Sequence, residues 1–260
     1  MLAGWSATVR YSVAAAFGGA LAAVVRRLLT TLARPAPRLT LYGSANFRPM
    51  RNAWMLEEMG LPFEHDPIGS DFDLAKAKAE ARKARNPLGK IPTLRDGELT
   101  VYESVAINTY LGDKYRDHPG CESLVPLPGT DARGRYETLT CCILAELDAQ
   151  SLWIHRKHGS KLAPMIGGIN PEAVEVARKH AVKVIDVLVG ELMSASGGEY
   201  LLGARFSAVD ILLVHCCDWA EQIGWGERWK EPADEPMRVL SEYLERCRAR
   251  PAYARAKARP

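Results

Sequence analysis

Residues 41–54 read LYGSANFRPMRNAW, an apolar run that stops at a glycine, then a short turn, then a segment beginning near Pro49 with helical character. Ser44 and Asn46 are the short polar side chains of that turn. Each could present a hydrogen-bond donor to an anion. The helix behind them adds to this, because the unpaired N–H groups and positive dipole end of a helix N-terminus favour negative charge. Phe47, between these groups and the helix, donates nothing from its side chain. Arg48 and Arg51 frame the turn and read as exposed or ion-paired, with Glu57 and Glu58 as partners for Arg51.

A second constellation lies at residues 86–104, NPLGKIPTLRDGELTVYES. An X-Pro bond adopts cis at a cost of only about 0.5–1 kcal/mol. A cis Ile91-Pro92 would turn the Ile91 N–H and C=O outward, unpaired by a sheet and open to an extended peptide. Glu103 and Ser104 begin a helix, where free N–H groups attract a carboxylate and the Glu103 side chain can take an ammonium.

Metal chemistry has no such support. His155 and His158 can share a helix face but have no third ligand nearby. The six cysteines, at 121, 141, 142, 216, 217 and 247, form no CxxC pair and read as small core hydrophobes of a reducing compartment. None lies between Arg38 and Pro119, which disfavours thiol exchange through a cysteine of that region.

The elements that must position these residues alternate from Arg38 onward. RLTLYGS reads as a strand, Pro49 to Met59 as a helix, PFEHDPI as a strand and LAKAKAEARKAR as a helix. Two short strands follow, joined by a turn containing Asp96-Gly97, the strongest hairpin signal in the chain. A helix from Glu103 to about Tyr115 closes the unit. The βαβαββα order argues for a small mixed sheet with helices on its faces. RDHPGCESLVPLPGTD then reads as a linker, and the remainder as helical. The clearest helix runs from Pro171 to Met193, with apolar residues at spacings of three and four. Ser207, three residues before Asp210, caps another that begins at Ala208.

The chain has 260 residues, 47% hydrophobic and 25% charged, the profile of an ordinary soluble protein with one or two cores. Its net charge of +3 comes from Arg10, Arg26, Arg27, Arg34 and Arg38, a start without any acidic residue; the rest is near neutral. No basic stripe interleaved with aromatics is present, so nucleic acid is not an expected partner. YSVAAAFGGALAAVV, residues 11–25, falls short of the ~20 residues that cross a bilayer comfortably. Residues 1–37 are therefore read as an N-terminal extension: an organelle transit peptide directing the chain to a mitochondrion, a short membrane anchor allowing membrane association, or a dispensable start with a cytoplasmic protein.

Taken together, the proline after a β-branched residue in NPLGKIPTL, the hairpin, the ES that opens a helix, the capped phrase YLLGARFSAVD and the tail YLERCRARPAYARA resemble the cytosolic-type glutathione transferase family, bacterial-type members especially. The resemblance covers residues 38–258. It implies an α/β thioredoxin-like domain at 38–117, a glutathione-binding domain, followed by an all-α helical domain at 130–258. Glutathione would be the co-substrate, with no metal, and the partners a small hydrophobic electrophile and a second copy in a homodimer. It further implies Ile91 pairing through its main chain with the cysteinyl part of glutathione, Pro92 forming the cis turn, Glu103 and Ser104 holding the γ-glutamyl group, and Lys90 the glycyl carboxylate.

The family's task is to keep the bound thiol ionised. A thiol of pKa 8.5 is only about 3% thiolate at pH 7. A hydrogen bond to the charged form contributes roughly 1.5–3 kcal/mol, about one to two pKa units. On the pattern LYGSxRSRxxRxxWxLEExGLPYE, Phe47 stands where the hydroxyl donor usually does. Three readings stay open: Asn46 or Ser44 donates instead, the helix N-terminus suffices, or the site binds without activating. The expected activity is conjugation in detoxification; non-catalytic binding and glutathione-dependent isomerase or peroxidase activity are the alternatives. Trp153, His155, Trp219 and Trp225 are candidates for the electrophile's wall, and Trp54 is assigned to packing.

Overall fold

The computed structural model describes residues 38–260 apart from residues 72, 85, 119, 196 and 197. The expected transit peptide or membrane anchor at residues 1–37 lies outside the described residues. Among the described residues no helix is long and apolar enough to cross a membrane.

The first half is β1 (Leu39–Tyr42), α1 (Pro49–Glu58), β2 (Phe63–Asp66), α2 (Leu74–Lys83), β3 (Thr93–Asp96), β4 (Leu99–Tyr102) and α3 (Ser104–Lys114). This is the βαβαββα order of the sequence reading. The sheet order is β2-β1-β3-β4. Central β1 runs parallel to β2 and antiparallel to β3, with Tyr42 opposite Thr93. That register sets the turn after β1 beside Ile91-Pro92, and this peptide bond is cis. The β3–β4 hairpin turns at Gly97, whose φ of 59° suits glycine. Asp96, at the end of β3, is tied to α3 by the hydroxyls of Tyr110 and Tyr115, which donate at 2.8 and 2.7 Å.

The second half is helical. α4 (Asp131–Cys142) continues through a π-helical stretch (Ile143–Leu152) into α5 (Trp153–His158). Then come α6 (Ala163–Ile166), α7 (Pro171–Ser194), α8 (Ala208–Gln222), α9 (Glu227–Lys230), α10 (Glu235–Arg248) and α11 (Pro251–Lys257). At the start of α8 the carboxylate of Asp210 is fully buried and accepts from the N–H groups of Leu201 and Ser207 and the hydroxyls of Ser207 and Tyr243. That satisfies a charge-bearing group which burial alone would strand.

α1 is the shared element. Pro49 at its first position fits the helix start, and every residue from Pro49 to Leu56 is buried. One apolar core runs on both sides of it, from Leu39 to Ala256. Trp54 packs as expected, with no exposed surface, against Phe206 and Tyr253. The far end of α1 is clamped by the C-terminal segment: Arg250 forms two hydrogen bonds to Glu58 at 2.7 and 2.8 Å, and Arg255 and Arg259 hold Glu57. Glu57 and Glu58 therefore do not serve Arg51, contrary to the sequence expectation. Residues 116–131, read as a linker, are pinned by buried Leu124 and Val125, and a Cβ at Gly112 would lie 2.4 Å from Val125. Cys216, Cys217 and Cys247 are buried as expected, whereas Cys121 and Cys142 are half-buried and Cys141 is exposed.

Candidate functional site

The turn after β1 is built on Gly43, whose φ is 120° and where a Cβ would meet Pro49 Cγ at 2.6 Å and Ile91 Cβ at 2.7 Å. Only a residue without a side chain lets β1, α1 and the cis-proline loop meet so closely. The Ser44 N–H donates to the Ile68 carbonyl at 2.9 Å and the Ala45 N–H to the Pro260 carbonyl at 2.9 Å. Ser44 is fully buried, and its Oγ accepts from the Asn46 N–H at 3.2 Å. It staples the turn from inside. Asn46 is exposed, and its side chain has no hydrogen-bond partner among the described residues. The Arg48 N–H, just before the helix, is likewise unpaired among them. Two donors thus remain at the mouth of the turn.

Beside it, neither the N–H nor the C=O of Ile91 has a hydrogen-bond partner among the described residues. Half-buried Ile91 and buried Pro92 form a short free edge, with exposed Lys90 next to them. Across the end of the sheet, exposed Glu103 has φ 70° and ψ 119°. A non-glycine residue held there costs of order 1–3 kcal/mol, and such residues cluster at ligand sites. Ser104 is buried, with Asn52 Nδ2 donating to its carbonyl at 2.8 Å.

What joins these parts is a buried ion network that sequence reading missed. The Arg51 guanidinium donates to Asp148 Oδ2 at 2.6 Å, to Ser104 Oγ at 3.2 Å and to His215 Nδ1 at 3.1 Å. Arg48 grips both oxygens of the same Asp148. Burial pushes the Asp148 carboxyl up, but the Arg51 and Arg48 charges outweigh it and hold it well below the usual carboxylate range. Burial, then the Arg51 charge, hold His215 well below the ordinary histidine range. The ring is neutral, and since Nδ1 accepts from Arg51, Nε2–H donates to the Phe47 carbonyl at 3.3 Å. The network therefore runs from the Phe47 turn through Arg51 to the start of α3. A lone aspartate inside the apolar run CCILAELDAQSLW was the one available signal.

Of the aromatic candidates, Trp153 and Trp219 sandwich Arg48, each 4.8 Å from its guanidinium carbon. His155 packs edge-on to Trp225 with ring centroids 5.3 Å apart. His158 Nδ1 lies 2.8 Å from the Gly168 carbonyl. Among the described residues no group of three or more potential ligands could hold a metal.

A thioredoxin-like sheet with a cis proline at the start of its third strand, backed by a helical bundle, defines the class. A family model described as glutathione S-transferase, N-terminal domain, matches residues 49–114, and one described as glutathione S-transferase, C-terminal domain, matches residues 171–246. The chain is 34% identical over 184 residues to glutathione S-transferase 3 of Zea mays, covering 66% of this chain and 73% of that protein. It is 38% identical over 185 residues to the glutathione S-transferase-like protein gedE of Aspergillus terreus, covering 68% of this chain and 76% of that one. A solved glutathione transferase from Phanerochaete chrysosporium, in complex with oxidized glutathione, aligns with a TM-score of 0.65 at 26% identity over 85% of this chain and 94% of that one. The chain belongs to the cytosolic-type glutathione S-transferase family.

Proposed function

We propose that the protein conjugates the thiolate of glutathione to small apolar electrophiles, a detoxifying transfer to carbon. The observation that carries this is the free Ile91 edge at cis Pro92, set between Lys90 and the strained Glu103. An extended tripeptide pairs through its cysteinyl main chain with Ile91. Its γ-glutamyl ammonium meets Glu103, its α-carboxylate meets the N-terminus of α3 at Ser104, and its glycyl carboxylate meets Lys90. This places the thiol at the Gly43–Arg48 turn.

Of the two side chains considered for activating the thiol, Asn46 is the donor; Ser44 supports the turn, being buried and engaged with the Asn46 N–H. The Arg48 N–H at the start of α1 is the second donor. Rate then comes from a larger thiolate fraction and from holding both reactants in one cleft. Absorbance titration of the bound thiol tests this. In wild type its pKa lies below that of free glutathione, and in Asn46→Ala it rises by about one unit; an unchanged titration in the variant removes Asn46 from the mechanism.

Phe47 favours a second reading, glutathione binding without turnover. Retention on immobilised glutathione with no activity toward generic electrophiles would select it. The protein is further proposed to be a homodimer, to be checked by light scattering, and residues 1–37 to direct it to a mitochondrion, to be checked by fusing them to a reporter.

A further inference from the structure

The Trp153 indole is ringed by cations: Arg48 at 4.8 Å, Arg156 at 5.6 Å, and Lys90 and Lys157 each at 5.9 Å from its centroid. Of these, only Arg48 has a carboxylate partner among the described residues, Asp148, and it shares that with Arg51. Arg156 also lies over the Phe47 ring, 5.2 Å from its centroid. Its guanidinium has aromatic faces on two sides and no acidic partner among the described residues. Burial, then repulsion by Arg48, lowers the Arg156 pKa. An ion held in such surroundings without a counter-charge is stabilised by any anion that reaches it.

Position decides which anion. Phe47 belongs to the turn that receives the thiol, and Trp153 belongs to the candidate wall of the electrophile cleft. Lys90 is matched by the glycyl carboxylate in the proposed glutathione pose, which leaves Arg156 and Lys157 unneutralised beside the reacting end. Guanidinium is the side chain whose fork matches a carboxylate in two parallel hydrogen bonds, and flat aromatic faces suit a planar partner.

Resting on the transferase reading, we infer that Arg156, carried on the Phe47 and Trp153 rings, selects among the small electrophiles with an apolar body those that also bear one acidic group, planar aryl carboxylates above all. In the reaction the thiolate sulfur bonds to the aryl carbon and the bond to the leaving halide breaks, halide departing with the electron pair. The acidic group stays bound to Arg156 and takes no part in the electron flow. Phe47 thereby has a positive role in place of a donor: it is a platform for the cation that orients the second substrate.

The test compares 4-chloro-3,5-dinitrobenzoate with its uncharged carboxamide, and calorimetry of the two glutathione conjugates they form. Saturation with glutathione alone, measured separately, reports on the transferase reading. The carboxylate conjugate is expected to bind wild type about ten-fold or more tightly than the carboxamide conjugate, with kcat/KM following the same order. Arg156→Gln is expected to bring that ratio near one, and Arg156→Lys to retain part of it. Equal affinities in wild type, at normal glutathione saturation, would overturn the inference without touching the transferase reading. A loss in Arg156→Gln that falls equally on glutathione itself would also overturn it, assigning Arg156 to the glycyl carboxylate.

Discussion

Asp148 illustrates how one side chain can set the site's geometry without lying in it. It is almost fully buried and binds two arginines of the α1 start, one of which reaches Ser104. Removing one partner of a buried pair strands the other charge, at a cost of about 3–5 kcal/mol. Asp148→Asn should therefore lower the unfolding free energy by about that amount at neutral pH, read by urea denaturation, and the arm at Ser104 should loosen with it. The acid dependence has a definite sign. Asp148 and His215 both have folded-state pKa values below their ordinary ones. Each favours folding above its unfolded-state pKa, and that advantage is lost on acidification. Stability should fall first as pH drops below about 6.5, through His215, and again below about 4, through Asp148. His215→Gln should flatten the first limb; an unaltered profile would show that the histidine is not held neutral.

At the level of elements, the turn between β1 and α1 depends on close approach more than on any donor. Gly43 brings β1, Pro49 and Ile91 together where a methyl would overlap two of them, at a backbone angle that L side chains rarely adopt. Gly43→Ala is expected to cost about 2–4 kcal/mol of stability by thermal or urea unfolding and to weaken glutathione binding, because Ile91 must move. Stability and affinity both unchanged would mean that the turn is more pliant than its packing implies. The order of these elements was legible in the sequence, since alternating apolar runs, the Asp96-Gly97 turn and the Ser207 to Asp210 cap are local patterns. The partners of the α1 arginines were not. Arg51 finds its carboxylate 97 residues away, and Arg250 reaches Glu58 across 192. Local spacing suggested Glu57 or Glu58 for Arg51 because it counts only neighbours on one helix; packing against the π-helical stretch decided otherwise. The Ser44 hydroxyl was likewise legible as polar but not as inward-facing.

On the scale of the whole molecule, the sheet and the helical half share one apolar core, with α1 inside it and the C-terminal arginines closing its far end. The free edge at Ile91, the strained Glu103 and the turn that carries Asn46 thus stand on a single support, with the Trp153 cation cluster next to them. A groove of about 810 Å³, lined by Glu103, Tyr110, Lys114 and Glu137 among others, lies along α3 and α4. All of this turns on whether that support receives a tripeptide. Calorimetric titration of the folded protein with glutathione is the direct measurement. Saturable heat with one site per chain, lost in Glu103→Ala, is expected; no heat at millimolar glutathione from protein shown to be folded would contradict it.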